Sequence, residues 1–180
     1  MVGTRLEPVT DDGPEPLPLT PRPAFDDFFR AEYPRIVALV LALSGDHQGA
    51  EDVAQEALLR ASDRWDRVGS YDRPGAWVRR VALNLSLNAR ARRRSEAAAV
   101  NRLGARPPLP PADAETDGFW NMVRRLPPRQ AAAVSLHYLE DLSVADVAAV
   151  LGCAEGTAKA HLSKGRAGLA RLLDEPEDRP

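Results

Sequence analysis

The chain has 180 residues, 44% of them hydrophobic and 28% charged, with a formal net charge of −2 and one cysteine. That single cysteine, Cys153, excludes an internal disulfide framework and a multi-cysteine metal site. No apolar run approaches the roughly 20 residues that cross a bilayer, and the first residues lack a secretion-signal pattern. We therefore expect a cytoplasmic protein without membrane insertion. Abundant Ala, Leu and Arg, with few aromatic residues, predict an all-α fold.

The charges are segregated along the chain. Phe25 to Asp66 holds nine acids and four bases, a net of −5, whereas Arg79 to Arg94 holds six arginines and no acid, a net of +6. Ala154 to Arg171 adds one acid and four bases, a net of +3. Separate acidic and basic surfaces are typical of a protein that contacts both a basic partner and nucleic acid.

The first 24 residues contain six prolines and predict a disordered tail. A first domain is predicted over residues 25–94. It opens with an apolar helical face that Pro34 is expected to break near Tyr33. The next helix is predicted from Gln48 to Trp65, with the acids Glu51, Asp52 and Glu56 on its first half.

A loop is predicted over residues 67–75, followed by a third helix that starts near Pro74. That helix directs Trp77, Val81 and Leu85 inward and its arginines and asparagines outward or sideways, and it ends in an arginine run between residues 90 and 94. The run is a candidate contact for phosphates. Four prolines and little amphipathic order then predict a linker over residues 95–116.

A second domain is predicted over residues 117–174, before an acidic tail at 175–180. One amphipathic helix ends at Pro127-Pro128, and another runs from Arg129 to Leu139. Ser143 then predicts the N-cap of a short helix that Gly152 ends, and a second helix begins near Glu155 or Gly156. Apart from Glu155, every charged residue of that last helix up to Arg171 is a cation. This pattern favours a DNA-binding helix-turn-helix over a solvated helical hairpin.

Catalytic signatures are missing from the sequence. The three histidines are scattered, no phosphate-binding glycine loop occurs, and no nucleophile–base set can be identified. We therefore predict a protein that is not an enzyme and needs neither a metal nor another cofactor.

Two separated stretches together resemble a known family. EDVAQEALLRASDRW followed by PGAWVRRVALNLSLNARARRR is similar to region 2 of bacterial sigma factors, and LPPRQAAAVSLHYLEDLSVADVAAVLGCAEGTAKAHLSKGRAGL is similar to region 4. The helix-turn-helix alone has low specificity. The acidic helix, a W-x-x-R-x-A-x-N-like segment and the arginine run, all ahead of it, make the resemblance specific. In the spacing of these two regions, and in the absence of other sigma domains, the sequence resembles the extracytoplasmic function group of the sigma-70 family.

The resemblance implies a division of labour. Asp52 and Glu56 would dock on the basic clamp helices of core RNA polymerase. The loop from Val68 to Gly75 and the third helix would capture the −10 element of promoter DNA as a single strand. The residues implied for that contact are Tyr71, Arg79, Arg80, Asn84, Asn88, Arg90, Arg92, Arg93 and Arg94.

The second domain would read the −35 element as duplex. The implied residues on its recognition helix are Thr157, Lys159, Ala160, His161, Lys164 and Arg166. Inhibitory partners, the anti-sigma factors, commonly bury both domains in this family. The resemblance therefore also implies such a partner and an inhibited closed state.

Two other functions remain open from the sequence. A stand-alone helix-turn-helix regulator would bind duplex DNA as a dimer, but it would need a dimerisation or ligand-sensing domain, and the first domain shows no coiled-coil heptads. A decoy that only titrates an inhibitor would keep the acidic helix and could lose the basic surfaces. The sigma-factor hypothesis accounts for both kinds of surface.

Overall fold

A computed structural model describes residues 24–102 and 118–174. At residue 94 and at residues 96–102 it describes the backbone alone. The predictions for residues 1–23, 103–117 and 175–180 lie outside the described residues. Every regular element in the described ranges is a helix, which confirms the all-α prediction. The eight helices of these ranges are α1 Phe25–Ser44, α2 His47–Ser62, α3 Trp65–Val68, α4 Pro74–Arg102, α5 Gly118–Arg125, α6 Pro128–Tyr138, α7 Val144–Leu151 and α8 Glu155–Asp174.

Helix α1 runs without interruption through Pro34, so the predicted break near Tyr33 is wrong. A proline inside a helix removes one backbone hydrogen bond and costs about 3 kcal/mol. Pro34 itself is exposed. The same core buries Phe28 before it and Ile36 and Val40 after it. Burial of both halves against one set of partners offsets the local cost.

The first block, α1 to α4, has its own core. The buried side chains from α1, α2, α3 and α4 are Phe28, Ile36, Val40, Ala50, Ala54, Ala57, Leu58, Ala61, Val68, Val78 and Ala82. The small alanines of α2 let it lie close to α1. From α4, Val78 and Ala82 are buried in this core, while the predicted core residues Trp77, Val81 and Leu85 are only partly buried beside them.

Helix α4 is longer than predicted, since it continues past the arginine run to Arg102. Alanines and a glutamate follow the run, and both have high helix propensity. The first residues of the predicted linker are therefore helical. Trp65, predicted at the end of the second helix, begins the separate short helix α3.

The second block, α5 to α8, packs around a core that also includes residues of the first block. Leu39 and Leu43 of α1 and Leu83 of α4 are buried in the same cluster as Val134, Leu162 and other apolar residues of the second block. The two blocks therefore share an apolar interface. Within the described residues, no helix is both long and apolar enough to cross a membrane.

Candidate nucleic-acid interface

The helix-turn-helix of α7 and α8 is closed at both ends of α7 by the predicted residues. The hydroxyl of Ser143 accepts a hydrogen bond from the backbone N–H of Asp146 at 3.1 Å, which satisfies a free donor of the first turn. Gly152 adopts the left-handed conformation, with φ 66°, and its backbone N–H donates to the carbonyl of Ala148. The cap and the stop predicted from the sequence are both confirmed.

Helix α8 buries one narrow stripe, formed by Ala158, Leu162, Gly165 and Leu169. Gly165 is required by close packing, because a Cβ there would lie 2.7 Å from Cγ2 of Val134 on α6. Leu173 is 65% exposed, because it lies at the end of α8 beyond the packed stripe.

The opposite side of α8 is open. The exposed predicted residues there are Thr157, Lys159, Ala160, Lys164 and Arg166, and His161 is half-buried beside them. Together they form what we call the α8 face. Two lysines and an arginine next to a hydroxyl and an imidazole can donate to base edges in a major groove and to phosphates. The sequence prediction and the geometry therefore agree on an accessible basic surface.

The corresponding surface of α4 is different. Asn84 and Asn88, one helical turn apart, are exposed. Tyr71 is half-buried against the core of the first block. Arg79 is 5% exposed, so the prediction that it points outward or sideways is wrong. In this arrangement of the blocks its guanidinium is not accessible to a phosphate.

Arg79 is buried because two carboxylates enclose its guanidinium. Its Nη1 lies 2.7 Å from Oε2 of Glu32 on α1, and its Nη2 lies 2.8 Å from Oε2 of Glu140, which follows α6. Its Nε also donates to Glu140 at 3.0 Å. The two contacts with Glu140 are charge-assisted hydrogen bonds, whereas the contact with Glu32 is a close ion pair without hydrogen-bond geometry. Such pairing is what allows an arginine to be buried.

Arg80, the next residue, donates to backbone carbonyls at the C-terminal end of α7. Its Nε lies 3.2 Å from the carbonyl oxygen of Val150, and its Nη2 also contacts the carbonyl of Ala149. These carbonyls have no partner inside their own helix, and they carry the negative end of the helix dipole. Arg80 thus caps a helix of the second block.

The arginine run at residues 90–94 is also engaged. Arg90 donates to the carbonyl of Arg124 at the end of α5 at 2.9 Å, and Arg93 donates to the carboxylate of Asp46 at 2.7 Å. Arg92 has an exposed side chain with an interaction of its own. Arg94 lies in α4, but its side chain is outside the described residues.

Asp46 links the start of α2 to the arginine run. The backbone N–H of Gly49 donates to the Asp46 carboxylate at 2.9 Å, and this bond, together with the Arg93 guanidinium, holds the pKa of Asp46 below its usual value of 3.8. The partial burial of the carboxyl opposes that shift. Part of the basic charge on α4 therefore stabilises the first block itself.

A separate acidic groove lies between α1 and α2 on the first block. Its volume is about 420 Å³, and it is lined by Phe25, Phe29, Asp52, Gln55, Glu56, Leu58, Leu59 and Ser62. Leu59 is 58% exposed, and Glu56 is bridged at 2.8 Å by Arg60 on the same helix. The predicted polymerase contacts Asp52 and Glu56 thus border an apolar floor, which suits a partner helix with basic and apolar residues.

Several residues of this region were not identified from the sequence. Glu32 and Glu140 enclose Arg79, Arg73 contacts Asp146 at the start of α7, and Arg124 donates to the carbonyl of Ala42 at 3.2 Å. Burial lowers the pKa of Arg124 from its ordinary value. Their partners lie tens of residues away, so no local sequence signal marks them.

Metal ligands do not cluster anywhere in the ranges that the structure describes. The geometry is that of two helical blocks, one with an acidic groove and an arginine-rich helix, the other with a helix-turn-helix. Family models match both: sigma-70 region 2 over residues 28–96 and sigma-70 region 4 over residues 117–169. The protein is thus a sigma factor of RNA polymerase, the class that combines these two regions.

Curated relatives narrow the class. The chain is 33% identical over 160 residues to the ECF RNA polymerase sigma factor SigM of Mycobacterium tuberculosis, covering 84% of this chain and 78% of that protein. It is 32% identical over 168 residues to the ECF RNA polymerase sigma factor EcfG of Rhodopseudomonas palustris, covering 90% of this chain and 92% of that protein. The chain belongs to the extracytoplasmic function (ECF) group of the sigma-70 family.

A solved structure shares the fold. The sigma factor RpoE of Bartonella quintana, crystallised in complex with the anti-sigma factor NepR, superposes with a TM-score of 0.62 at 27% identity. The match covers 86% of this chain and 98% of that chain. The similarity therefore extends over both helical blocks.

Proposed function

We propose that this chain binds core RNA polymerase through the acidic groove of the first block and directs it to promoters with two elements. The α8 face reads the −35 element as duplex, and α4 with the loop before it captures the −10 element as a single strand. The observation that carries the proposal is the open α8 face, which presents Lys159, Lys164 and Arg166 on the recognition helix of a helix-turn-helix.

The acidic groove supports the docking part of the proposal. An apolar floor that includes the exposed Leu59, with Asp52 and Glu56 at its border, is complementary to a helical partner carrying cations around apolar anchors. The groove lies on α1 and α2, away from the helix-turn-helix. Polymerase can therefore bind while α8 faces DNA.

The asparagines of α4 support the −10 part. Asn84 and Asn88 are exposed, and an amide can bond the edge of an unstacked base. Arginines on the same helix supply phosphate contacts once they are released from the second block. The chain itself performs no covalent step: it supplies binding energy and sequence reading, and it acts in the cytoplasm, where the polymerase works.

An anti-sigma factor is the second partner that we assign. The Bartonella quintana sigma factor was crystallised with one, and it shares the fold over most of this chain. A closed arrangement of two blocks offers such an inhibitor a single composite surface.

The test is transcription in vitro by core RNA polymerase that lacks any sigma factor, on a pool of promoter fragments. We expect transcripts with defined starts that depend on this chain, and alignment of their upstream sequences should give two conserved elements. Binding of duplex DNA without any sigma-dependent transcript would overturn the proposal. Omitting the chain, and substituting a heat-denatured preparation, provide the controls.

A further inference from the structure

The two carboxylates around Arg79 come from different blocks. Glu32 belongs to α1 of the first block, and Glu140 lies between α6 and α7 of the second. The side chain of Arg79 is 6% exposed, that of Glu32 is 14% exposed and that of Glu140 is 5% exposed, so the network is closed to solvent. A guanidinium enclosed in this way cannot reach a phosphate of DNA.

Gly75 provides the space for this network. A Cβ at that position would lie 2.6 Å from Nη1 of Arg79 and 2.9 Å from Oε1 of Glu32. Gly75 lies in the first turn of α4, where an alanine would favour the helix by propensity. The glycine therefore serves the approach of the ion pair.

Arginines farther along α4 repeat the pattern. Arg80 donates to the carbonyls of Ala149 and Val150 at the end of α7, and Arg90 donates to the carbonyl of Arg124 at the end of α5. Helix C-termini present partial negative charge and unpaired acceptor oxygens, two properties that they share with phosphate groups. The second block thus offers α4 a substitute for the DNA backbone.

We infer that the second block latches onto α4 in the free chain, through Glu140 and the C-terminal end of α7. The latch keeps Arg79 and Arg80 from DNA phosphates, while Asn84, Asn88 and the α8 face stay exposed. The inference rests on the proposed function for the role of α4. No other chain is required for the closed state, because every contact named here is within this chain. Free protein would then bind duplex DNA more readily than single-stranded DNA.

The latch can open at moderate cost. When Glu140 leaves, Arg79 keeps Glu32, which lies on its own block, so no cation is left buried alone. Glu140 itself returns to solvent. Leu39, Leu43 and Leu83 also hold the blocks together, so loss of Glu140 alone should shift the population toward the open state and should not separate all molecules.

The first experiment measures the conformation of the full-length chain. Spin labels are placed on Asp63→Cys of the first block and Ala170→Cys of the second, both exposed positions, in a Cys153→Ser background. We expect one short distance in this parent and an additional longer population with Glu140→Gln. Asp141→Asn is the matched control: it removes the same charge one residue away, is exposed, and asparagine tolerates the φ of 52° found there.

Two further variants act on the same network from opposite sides. Glu140→Arg places a second cation against Arg79, and Gly75→Ala displaces the guanidinium by steric contact. Both should enlarge the open population beyond that of the parent. Identical distances in the parent and in all three variants, or a parent that is already open, would overturn the latch and leave the proposed function intact.

The second experiment measures access to DNA without polymerase. The probes are a labelled single strand from the −10 region, and a labelled duplex from the −35 region, of a promoter found in the transcription assay. We expect Glu140→Gln to bind the single strand about tenfold more tightly than the parent, since apparent affinity scales with the open fraction. Duplex affinity should stay within about twofold of the parent, and Asp141→Asn should match the parent on both probes.

The spin-label distances and the DNA affinities together distinguish failure of the latch from failure of the proposed −10 role of α4. Longer distances together with tighter single-strand binding support the latch. Longer distances with unchanged single-strand affinity would overturn the −10 role of α4 and, with it, the control of DNA access.

Discussion

The two basic surfaces of this chain, on α4 and on α8, both carry a net positive charge but differ in how accessible their cations are. On α8, Lys159, Lys164 and Arg166 are exposed. On α4, Arg79 is buried between carboxylates, and Arg80 donates to carbonyls of α7. From charge alone, both stretches are predicted to bind DNA phosphates. The difference shows that a run of arginines indicates only that phosphate contacts are possible. Whether an arginine is accessible to DNA depends on the contacts that it already makes within the chain.

Arg79 and Arg166 give the sharpest contrast between these surfaces. Arg79→Ala leaves Glu32 and Glu140 buried without a cation, so we expect the free energy of unfolding to fall by about 3 kcal/mol. Arg166→Ala removes an exposed side chain and should change it by less than about 0.5 kcal/mol. Chemical denaturation of both variants measures this. Equal effects would show that the two arginines have the same surroundings in solution.

The acidic groove belongs to neither basic surface, and its alteration should leave both intact. Asp52→Arg places a cation where a basic partner helix is expected, and we expect core polymerase affinity to fall about a hundredfold. Asp63→Arg is the matched control, because it reverses an exposed charge just after α2 and outside the groove. Competition binding to core polymerase, with circular dichroism as a folding check, gives the answer. Wild-type affinity for Asp52→Arg would place the docking surface elsewhere.

The open surface can be tested at Lys164. Lys164→Ala should weaken binding to −35 duplex DNA about tenfold and reduce the slope of log affinity against log salt by about one. Arg171→Ala also removes a cation from α8, but near its end and beyond the α8 face, so it should have a smaller effect. Fluorescence anisotropy across a salt series distinguishes the two. An unchanged slope for Lys164→Ala would mean that this side chain contacts no phosphate.

The smallest expected effect is on the free energy of unfolding, and it concerns the contact between Arg93 of α4 and Asp46 in the first block. Asp46→Ala loses the cap on α2 and the contact with Arg93, and should lower stability by about 1 kcal/mol at neutral pH. Because the pKa of Asp46 is lowered in the folded state, its contribution is complete above the ordinary value of 3.8 and is lost as pH falls through the folded value.

Asp46→Asn separates the two parts of that contribution. Asparagine keeps the cap but does not titrate, so it should lose the pH-dependent part alone. Urea denaturation at a series of pH values between about 7 and 3 checks both variants. A stability gap between wild type and Asp46→Asn that stays constant over this range would contradict the lowered pKa of Asp46 in the folded state.

Local chemistry made much of the fold predictable. Ser143 and Gly152 mark the ends of α7 because a cap hydroxyl and a left-handed glycine act within one turn. Pro74 marks the start of α4 for the same kind of reason. Pro34 was misread because the cost of a proline is local, whereas the burial that offsets it comes from α2 and α4, which follow later in the chain.

The sequence by itself determined the helical class, the order of the two regions and the side of α8 that faces outward, since these depend on periodicity and on charges within a few residues of each other. The tertiary structure decided that Leu83 enters the core of the second block and that Arg79 meets Glu140, which is 61 residues away. Such pairings form only when the two blocks pack, because a buried cation selects whichever carboxylate the fold brings to it.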